Sequence, residues 1–268
     1  MQGSNDPPIL IRRDEREHGL VAHLTINNPH RLNAMNSALM SALVDAAHKL
    51  AGDERLRAVV LGGAGPKAFI GGADIDEMVG IKTATDAKAF ITRLHQCCEA
   101  IRDIPVPVIA RIQGYCFGGG LEMAAACDVR ISTETAVFGM PEVKLGIPSV
   151  IEAALLPTLV GFGRAREMTM LGENFTARDA LAWGLVEHVV PAMDLDQRID
   201  TWIGKLLTSK PRAVRLQKKL IRQWESLPLA AAVRAGIETF AEAYESDEPR
   251  AAMADFLAAQ KARKRGAQ

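Results

Sequence analysis

The feature that most limits what this chain can become is an alternation of short apolar runs with helical patterns, in which glycines close the runs. VAHLTIN alternates from Val21 to Ile26 and reads as a strand. The turn NNPHRLNAMN follows, and from Ser37 the run SALMSALVDAAHKLAG has the 3.6-residue period of an amphipathic helix. LRAVVLGG, Leu56 to Gly63, reads as a short buried strand ending in glycines. The loop PKAFIGGADIDEM then leads to a helix from about Thr85 to Ile104, which the dipeptides Ile104-Pro105 and Val106-Pro107 end. The strand VIARI, the loop GYCFGGG, the small-residue helix LEMAAACD and the strand VRIST complete the alternation. Such a sequence of elements predicts an α/β core with ligand-carrying loops at strand ends.

From about Gly161 helical patterns dominate, interrupted by a short strand expected in GLVEHVV at 184–190. The chain is therefore expected to divide into a core at 1–200 and a helical region at 201–268. Apolar faces in the last third without an obvious partner in one chain predict an oligomer interface.

Composition excludes several function classes. Lys plus Arg and Asp plus Glu number 32 each, so no global field favours nucleic acid or a membrane surface. The basic stretch KPRAVRLQKKLIR is better read as a solvated helix face, with Ala213, Val214, Leu216, Leu220 and Ile221 left for packing. Cys97, Cys98, Cys116 and Cys127 show no CxxC spacing and the six histidines are scattered, so neither a metal site nor a disulfide framework is expected. Cys97 and Cys98 read as buried helix residues, since adjacent cysteines seldom form a relaxed disulfide. The N-terminal MQGSNDPPILIRRDEREHG has no apolar core of the signal-peptide kind, and no apolar run approaches the roughly 20 residues of a membrane span. A soluble, cytoplasmic protein is expected.

The chemistry concentrates in two glycine-rich loops and the acids near them. Gly71-Gly72-Ala73-Asp74 and Gly114 to Gly120 each follow a strand, and glycine lets a ligand approach backbone amides closely. Where such a loop opens a helix, its free N–H groups suit a phosphate or a developing oxyanion. No Gly-Lys-Ser/Thr follows either loop, which argues against a phosphate loop. Gly114-x3-Gly118 has the spacing of short-chain dehydrogenases, but neither Tyr115 nor Tyr244 has a lysine four residues later. Tight helix–strand packing accounts for one such loop alone. Two loops, each offering an amide to one oxygen, together with Glu122 and Glu142 in mostly apolar surroundings, make up a catalytic inventory. No serine sits in a Gly-x-Ser-x-Gly elbow. Paired carboxylates also suit glycoside hydrolysis, yet this region offers few of the aromatic and polar groups of a sugar site.

Five blocks carry a resemblance: INNPHRLNAMN, KAFIGGADIDEM, GYCFGGGLEMAAACDVRIS, FGMPEVKLGI and LGENFTARDALAWGLVEHVV. In this order they resemble the crotonase, or enoyl-CoA hydratase/isomerase, superfamily, over roughly Leu20 to the C-terminal helices. The resemblance implies a crotonase-like spiral of ββα units with a helical C-terminal trimerisation region, in trimers that often pair into hexamers. It implies an acyl-CoA thioester as substrate, as in fatty acid metabolism, with coenzyme A entering as part of the substrate and no other cofactor or metal. The amides of Ala73 and Gly119 would hold the thioester oxygen. Glu122 would orient and activate a water that adds to C3, and Glu142 would exchange the C2 proton.

The same resemblance places His30, Arg31, Leu32, Ala34, Gly71, Gly72, Asp74 and Ile75 around coenzyme A. It also places Phe117, Gly118, Pro141, Leu145 and Ser149 among the residues that bind the substrate or its coenzyme A, with the Ser149 region shaping the pocket around the acyl chain. By residue chemistry, Arg31 is either a phosphate partner or a solvated arginine, and Asp74 either touches the ligand or caps its loop. The chain departs from the family pattern at GIPSVIEAALLP, where Ser149 replaces a common glycine and the glycine-rich continuation is missing. A hydratase of 2-enoyl-CoA thioesters is the expected activity, with isomerase, decarboxylase or thioester hydrolase chemistry, or non-catalytic CoA binding, as alternatives. Ser149-x-x-Glu152 reads as a capping box that starts the next helix, giving Glu152 an architectural role.

Overall fold

The computed structural model describes residues 6–266. Residues 1–5, which open the N-terminal stretch considered above, and 267–268 lie outside the described residues, as do the side chains of the last two cations of the KARKR tail. The chain forms two compact units, one ending at Gly204 and one beginning at Lys205.

The first unit opens with an antiparallel pair, β1 (Ile9–Arg16) and β2 (Gly19–Ile26), followed by α1 (Ser37–Ala51). Next come β3 (Leu56–Gly63), β4 (Ala68–Ile70), α2 (Ile75–Val79) and α3 (Ala84–Asp103). A second turn of the same pattern holds β5 (Val108–Ile112), β6 (Tyr115–Phe117) and α4 (Gly119–Ala126). A third starts with β7 (Val129–Thr133) and β8 (Val137–Gly139), then passes through two 3₁₀ turns, Pro141–Leu145 and Ile151–Leu155, into α5 (Leu156–Leu171). The unit closes with β9 (Asn174–Thr176), α6 (Ala177–Trp183), β10 (His188–Val190) and most of α7 (Leu195–Leu207).

After the β1-β2 pair, which stays in one sheet, the pairs β3/β4, β5/β6 and β7/β8 each send their first strand to one sheet and their second to another. The larger sheet has the order β1-β2-β3-β5-β7-β10, the smaller β4-β6-β8-β9. The β2-β3-β5-β7-β10 contacts are parallel, so connections must cross over, and the helices supply them. β3 is buried at all eight positions, as a central parallel strand covered on both faces must be. The predicted strands at 56–63, 108–112 and 129–133 stand at those bounds. GLVEHVV does not: the strand is only His188–Val190, because Gly184, at φ 81°, ends α6 in a left-handed turn that uses up the first residues.

Helix starts follow local chemistry. The Asn36 side chain accepts from Leu39 N at 2.9 Å to open α1, and Thr83 with Asp86 forms a capping box on α3. The start of α4 instead depends on packing. A Cβ at Gly120 would stand closer than 3.0 Å to the Ile70 carbonyl oxygen, and one at Gly119 equally close to Leu94. Glycines here let α4 press against β4 and α3.

The second unit contains α8 (Pro211–Trp224), α9 (Leu229–Ala243) and α10 (Glu248–Gly266). Trp224 Nε1 donates to Ala232 O at 3.3 Å and Lys219 pairs with Glu242 at 2.9 Å, joining α8 to α9. In α8, Leu216 and Leu220 are buried as expected, but Ala213 and Ile221 face outward and Lys218 is buried. A lysine stem packs along apolar surface, so a basic helix need not bury its apolar positions alone. Among the described residues no helix is long and apolar enough to cross a membrane.

Candidate active site

A cavity of about 690 Å³ opens where the two glycine loops meet α3 and the Pro141–Leu145 turn. Of the residues expected at the site, it is lined by Gly71, Gly72, Ala73, Ile75, Phe117, Gly118, Gly119, Glu122, Pro141, Glu142 and Leu145. Phe90, Ile91 and Leu94 of α3 and Met78 and Ile81 supply further apolar wall. Sequence reading did not place α3 at the site; its apolar face is indistinguishable from a core-facing one before the fold is known.

His30, Arg31, Leu32, Ala34, Asp74 and Ser149 are not among the lining residues. The 30–34 segment lies directly behind the first glycine loop: Gly71 N donates to Leu32 O at 2.8 Å and Met35 bridges Ala73. Asn33, which sequence reading passed over, holds that segment in place. It is fully buried in a left-handed conformation; its Oδ1 accepts from Asn28 N, and its Nδ2 donates to the carbonyls of Ala64 and Ala68. Asp74 is the cap of α2, accepting from Asp76 N at 3.0 Å and Glu77 N at 3.2 Å. Arg31 is exposed and pairs with Asp76, and with Asp74 at 3.5 Å. The capping alternative for Asp74 is thus realised.

Ala73 and Gly119 both line the cavity. In the bridge, Met35 N donates to Gly72 O and Asp74 N to Met35 O. Alternate groups of an extended chain point to opposite sides, so the Ala73 N–H is directed away from Met35. Gly119 is the first residue of α4, where an amide has no carbonyl one turn back. Gly118, at φ 50°, turns the chain into that helix, and the Glu142 carboxylate lies over it so closely that a Cβ would collide.

The two carboxyls differ in setting. Glu122 is 3% exposed and its Oε1 accepts from Ala153 N at 3.0 Å. Burial pushes its carboxyl up to about 8; the Ala153 amide opposes this, and the charges of Glu142 and Glu152 add to it. Glu142 is only partly buried, and its Oε2 accepts from Ser149 Oγ at 2.9 Å.

That last bond corrects the role expected of Glu152. Ser149 spends its hydroxyl on Glu142, and the next turn begins after Val150, without a side-chain cap. Ile151 takes φ 34°, which carries the chain out of capping geometry and turns the Glu152 side chain inward. There Glu152 Oε1 stands 2.8 Å from His95 Nδ1 on α3. The Ser149–Glu152 capping box does not form, and Glu152 is not an architectural acid at a helix start. Nothing in the local sequence pairs Glu152 with a histidine 57 positions away.

With this geometry in hand, the likeness to known proteins is specific. The family model described as enoyl-CoA hydratase/isomerase matches residues 16–265. The chain belongs to the enoyl-CoA hydratase/isomerase family. It is 35% identical over 242 residues to a short-chain-enoyl-CoA hydratase of Clostridium acetobutylicum, covering 90% of this chain and 92% of that protein. It is 31% identical to a crotonyl-CoA hydratase of Syntrophomonas wolfei, over 95% and 96% of the two chains. Among solved structures, an enoyl-CoA hydratase of Mycobacterium smegmatis superposes with a TM-score of 0.89 at 32% identity, over 94% and 96%. The spiral of ββα repeats is therefore the crotonase fold that the five sequence blocks implied.

Proposed function

We propose that this protein is an enoyl-CoA hydratase, adding water across the C2=C3 bond of a 2-enoyl-CoA thioester. The observation that carries this reading is the meeting of Ala73 and Gly119, one from each glycine loop, with two carboxyls, Glu122 and Glu142, in one largely apolar cavity. The amides of Ala73 and Gly119 bind the thioester oxygen. As the nucleophile adds to C3, negative charge develops on that oxygen, and an amide aimed at developing charge is worth about 3 kcal/mol of barrier.

Water addition needs one group to take a proton from water and another to give a proton to C2. Glu122 activates the water, and Glu142, held by Ser149 Oγ, exchanges the C2 proton. Ser149 thus serves the reaction through Glu142. Gly71, Gly72 and Ile75 flank the pantetheine, with Phe117, Gly118, Pro141 and Leu145 around the acyl group. His30, Leu32 and Ala34 belong to the segment behind the loop, and Arg31 within it is exposed. Its exposed pairing with Asp76 contributes little on a surface, so a phosphate of coenzyme A can replace it. No cofactor beyond the CoA substrate enters this scheme. Four free, buried cysteines suit a reducing compartment such as the cytoplasm.

The test is loss of the conjugated-thioester absorbance when crotonyl-CoA is added. Glu122→Gln and Glu142→Gln should each slow turnover about a hundredfold or more while CoA binding persists. Because kcat/KM reports groups of the free protein, it should rise with pH through about 8, as Glu122 ionises. Wild-type rates in either variant would remove that residue's role. A kcat/KM that falls through the same range would make Glu122 the acid. No reaction with short, medium, branched or aromatic enoyl-CoAs would sink the hydratase reading.

A further inference from the structure

Glu152 is left over by the reaction scheme, yet the fold places it at a cost. Glu152 is 6% exposed, and its Oε2 is buried with no hydrogen-bond partner among the described residues. An ionised carboxylate in such surroundings is strongly disfavoured unless it is paired. Its backbone neighbour Ile151 holds a positive φ of 34°, a conformation that a β-branched residue rarely adopts. A strained residue and a half-satisfied buried acid side by side call for an explanation other than helix capping.

The explanation lies in what surrounds Glu152. The Ile151–Leu155 turn packs against α4 and α3, and the amide of the next residue, Ala153, donates to Glu122. The titratable groups gathered there are Glu122 on α4, Glu142 on the Pro141–Leu145 turn, Glu152, and His95, Cys98 and Cys97 on α3. His95 and Cys98 are three residues apart, on one face of α3. The thiol of Cys98 is raised well above its usual range, by burial first and then by the charges of Glu152 and Glu122. Of this group His95 is the one that bonds Glu152 Oε1 from the solvent side. Its side chain is 45% exposed, so the 2.8 Å bond to Glu152 links the solvent side of α3 to the wall behind Glu122. As imidazolium, or as the neutral tautomer protonated on Nδ1, His95 donates to the carboxylate.

We propose that Glu152 and His95 are a positioning pair for Glu122, in which the buried carboxylate holds the proton on Glu122 and the imidazole limits that hold. The pair governs how readily Glu122 becomes a base. Its consequence for turnover rests on the hydratase reading, but its effect on Glu122 does not.

The test reads Glu122 directly. In protein carrying ¹³C at the glutamate side-chain carboxyls, the Glu122 resonance is the one that disappears in Glu122→Gln. Its titration midpoint is then followed in wild type, Glu152→Gln, His95→Gln and the double variant, without substrate. Glu152→Gln should move the midpoint to lower pH, on the order of one unit, as expected for removing a nearby like charge. His95→Gln removes the imidazole that bonds the Glu152 carboxylate, and should move it to higher pH. The double variant should follow Glu152→Gln, since the imidazole acts through the carboxylate. The acid limb of kcat/KM for crotonyl-CoA should move with each midpoint. An unchanged midpoint in Glu152→Gln overturns the proposal, and one that fails to rise in His95→Gln overturns the part given to the imidazole. If the midpoints move but no variant or wild type hydrates crotonyl-CoA, the pair stands and the hydratase reading falls. Hydration with unmoved midpoints removes the pair and leaves the hydratase.

Discussion

Glu122 illustrates how one residue can be both the chemistry and a weakness of the fold. Its carboxyl is raised from 4.5 to about 8, mainly by burial. Below about 4.5 it is protonated in both folded and unfolded chains. Between about 4.5 and about 8 the unfolded chain ionises first, so stability falls as pH rises through that window. Glu122→Gln cannot ionise and can still accept from Ala153 N. Its stability advantage over wild type should be near zero at about pH 5 and grow to a few kcal/mol at about pH 9. Denaturant unfolding at the two pH values measures this, and an advantage that shrinks with pH would contradict the buried-acid account. Both carboxyls of the proposed chemistry were readable in the sequence because an acid among apolar residues stands out. The partners of Ser149 and Glu152 were not. A capping box is a local pattern, whereas Ser149 bonds Glu142 and Glu152 meets His95 only once α3, α4 and two 3₁₀ turns are packed together.

Among the elements, α4 carries the amide proposed to bind the oxyanion, and it begins on glycines with no room for a side chain. Alanine normally favours a helix over glycine by about 1 kcal/mol. At Gly120 the sign should reverse, since a Cβ would run into the Ile70 carbonyl. Gly120→Ala should destabilise the protein by about 1–3 kcal/mol, lowering the thermal midpoint by several degrees. A neutral or stabilising result would mean that α4 does not press on β4. Long elements were legible: α1, α3, β3, β5 and β7 have a clear period, a cap or an unbroken apolar run. β4, β6, β8 and β9 are three residues each, too short for any period, and they form the second sheet on which the glycine loops are mounted. The first glycine loop leaves β4 and the second surrounds β6. The signal for the site was therefore stronger than the signal for the sheet beneath it.

At the scale of the whole molecule, the second unit leaves Leu229, Val233, Ile237 and Phe240 of α9 exposed at 56–81%, spaced as one helix face. An apolar stripe of this kind marks an association surface. We propose that it helps to assemble trimers or hexamers. Light scattering after size exclusion should then give three or six times the chain mass, and a monomer would contradict the assignment. The sequence by itself determined the α/β alternation, the two glycine loops, the acids Glu122 and Glu142, and membership of the family through five blocks in order. Those properties are written in short segments, where spacing and residue type act locally. Only the tertiary structure decided that α3 walls the cavity, that Asn33 fastens one loop to another, and that Glu152 faces inward to His95. These contacts join residues tens of positions apart, and their geometry depends on how the sheets and helices pack, which no local pattern encodes.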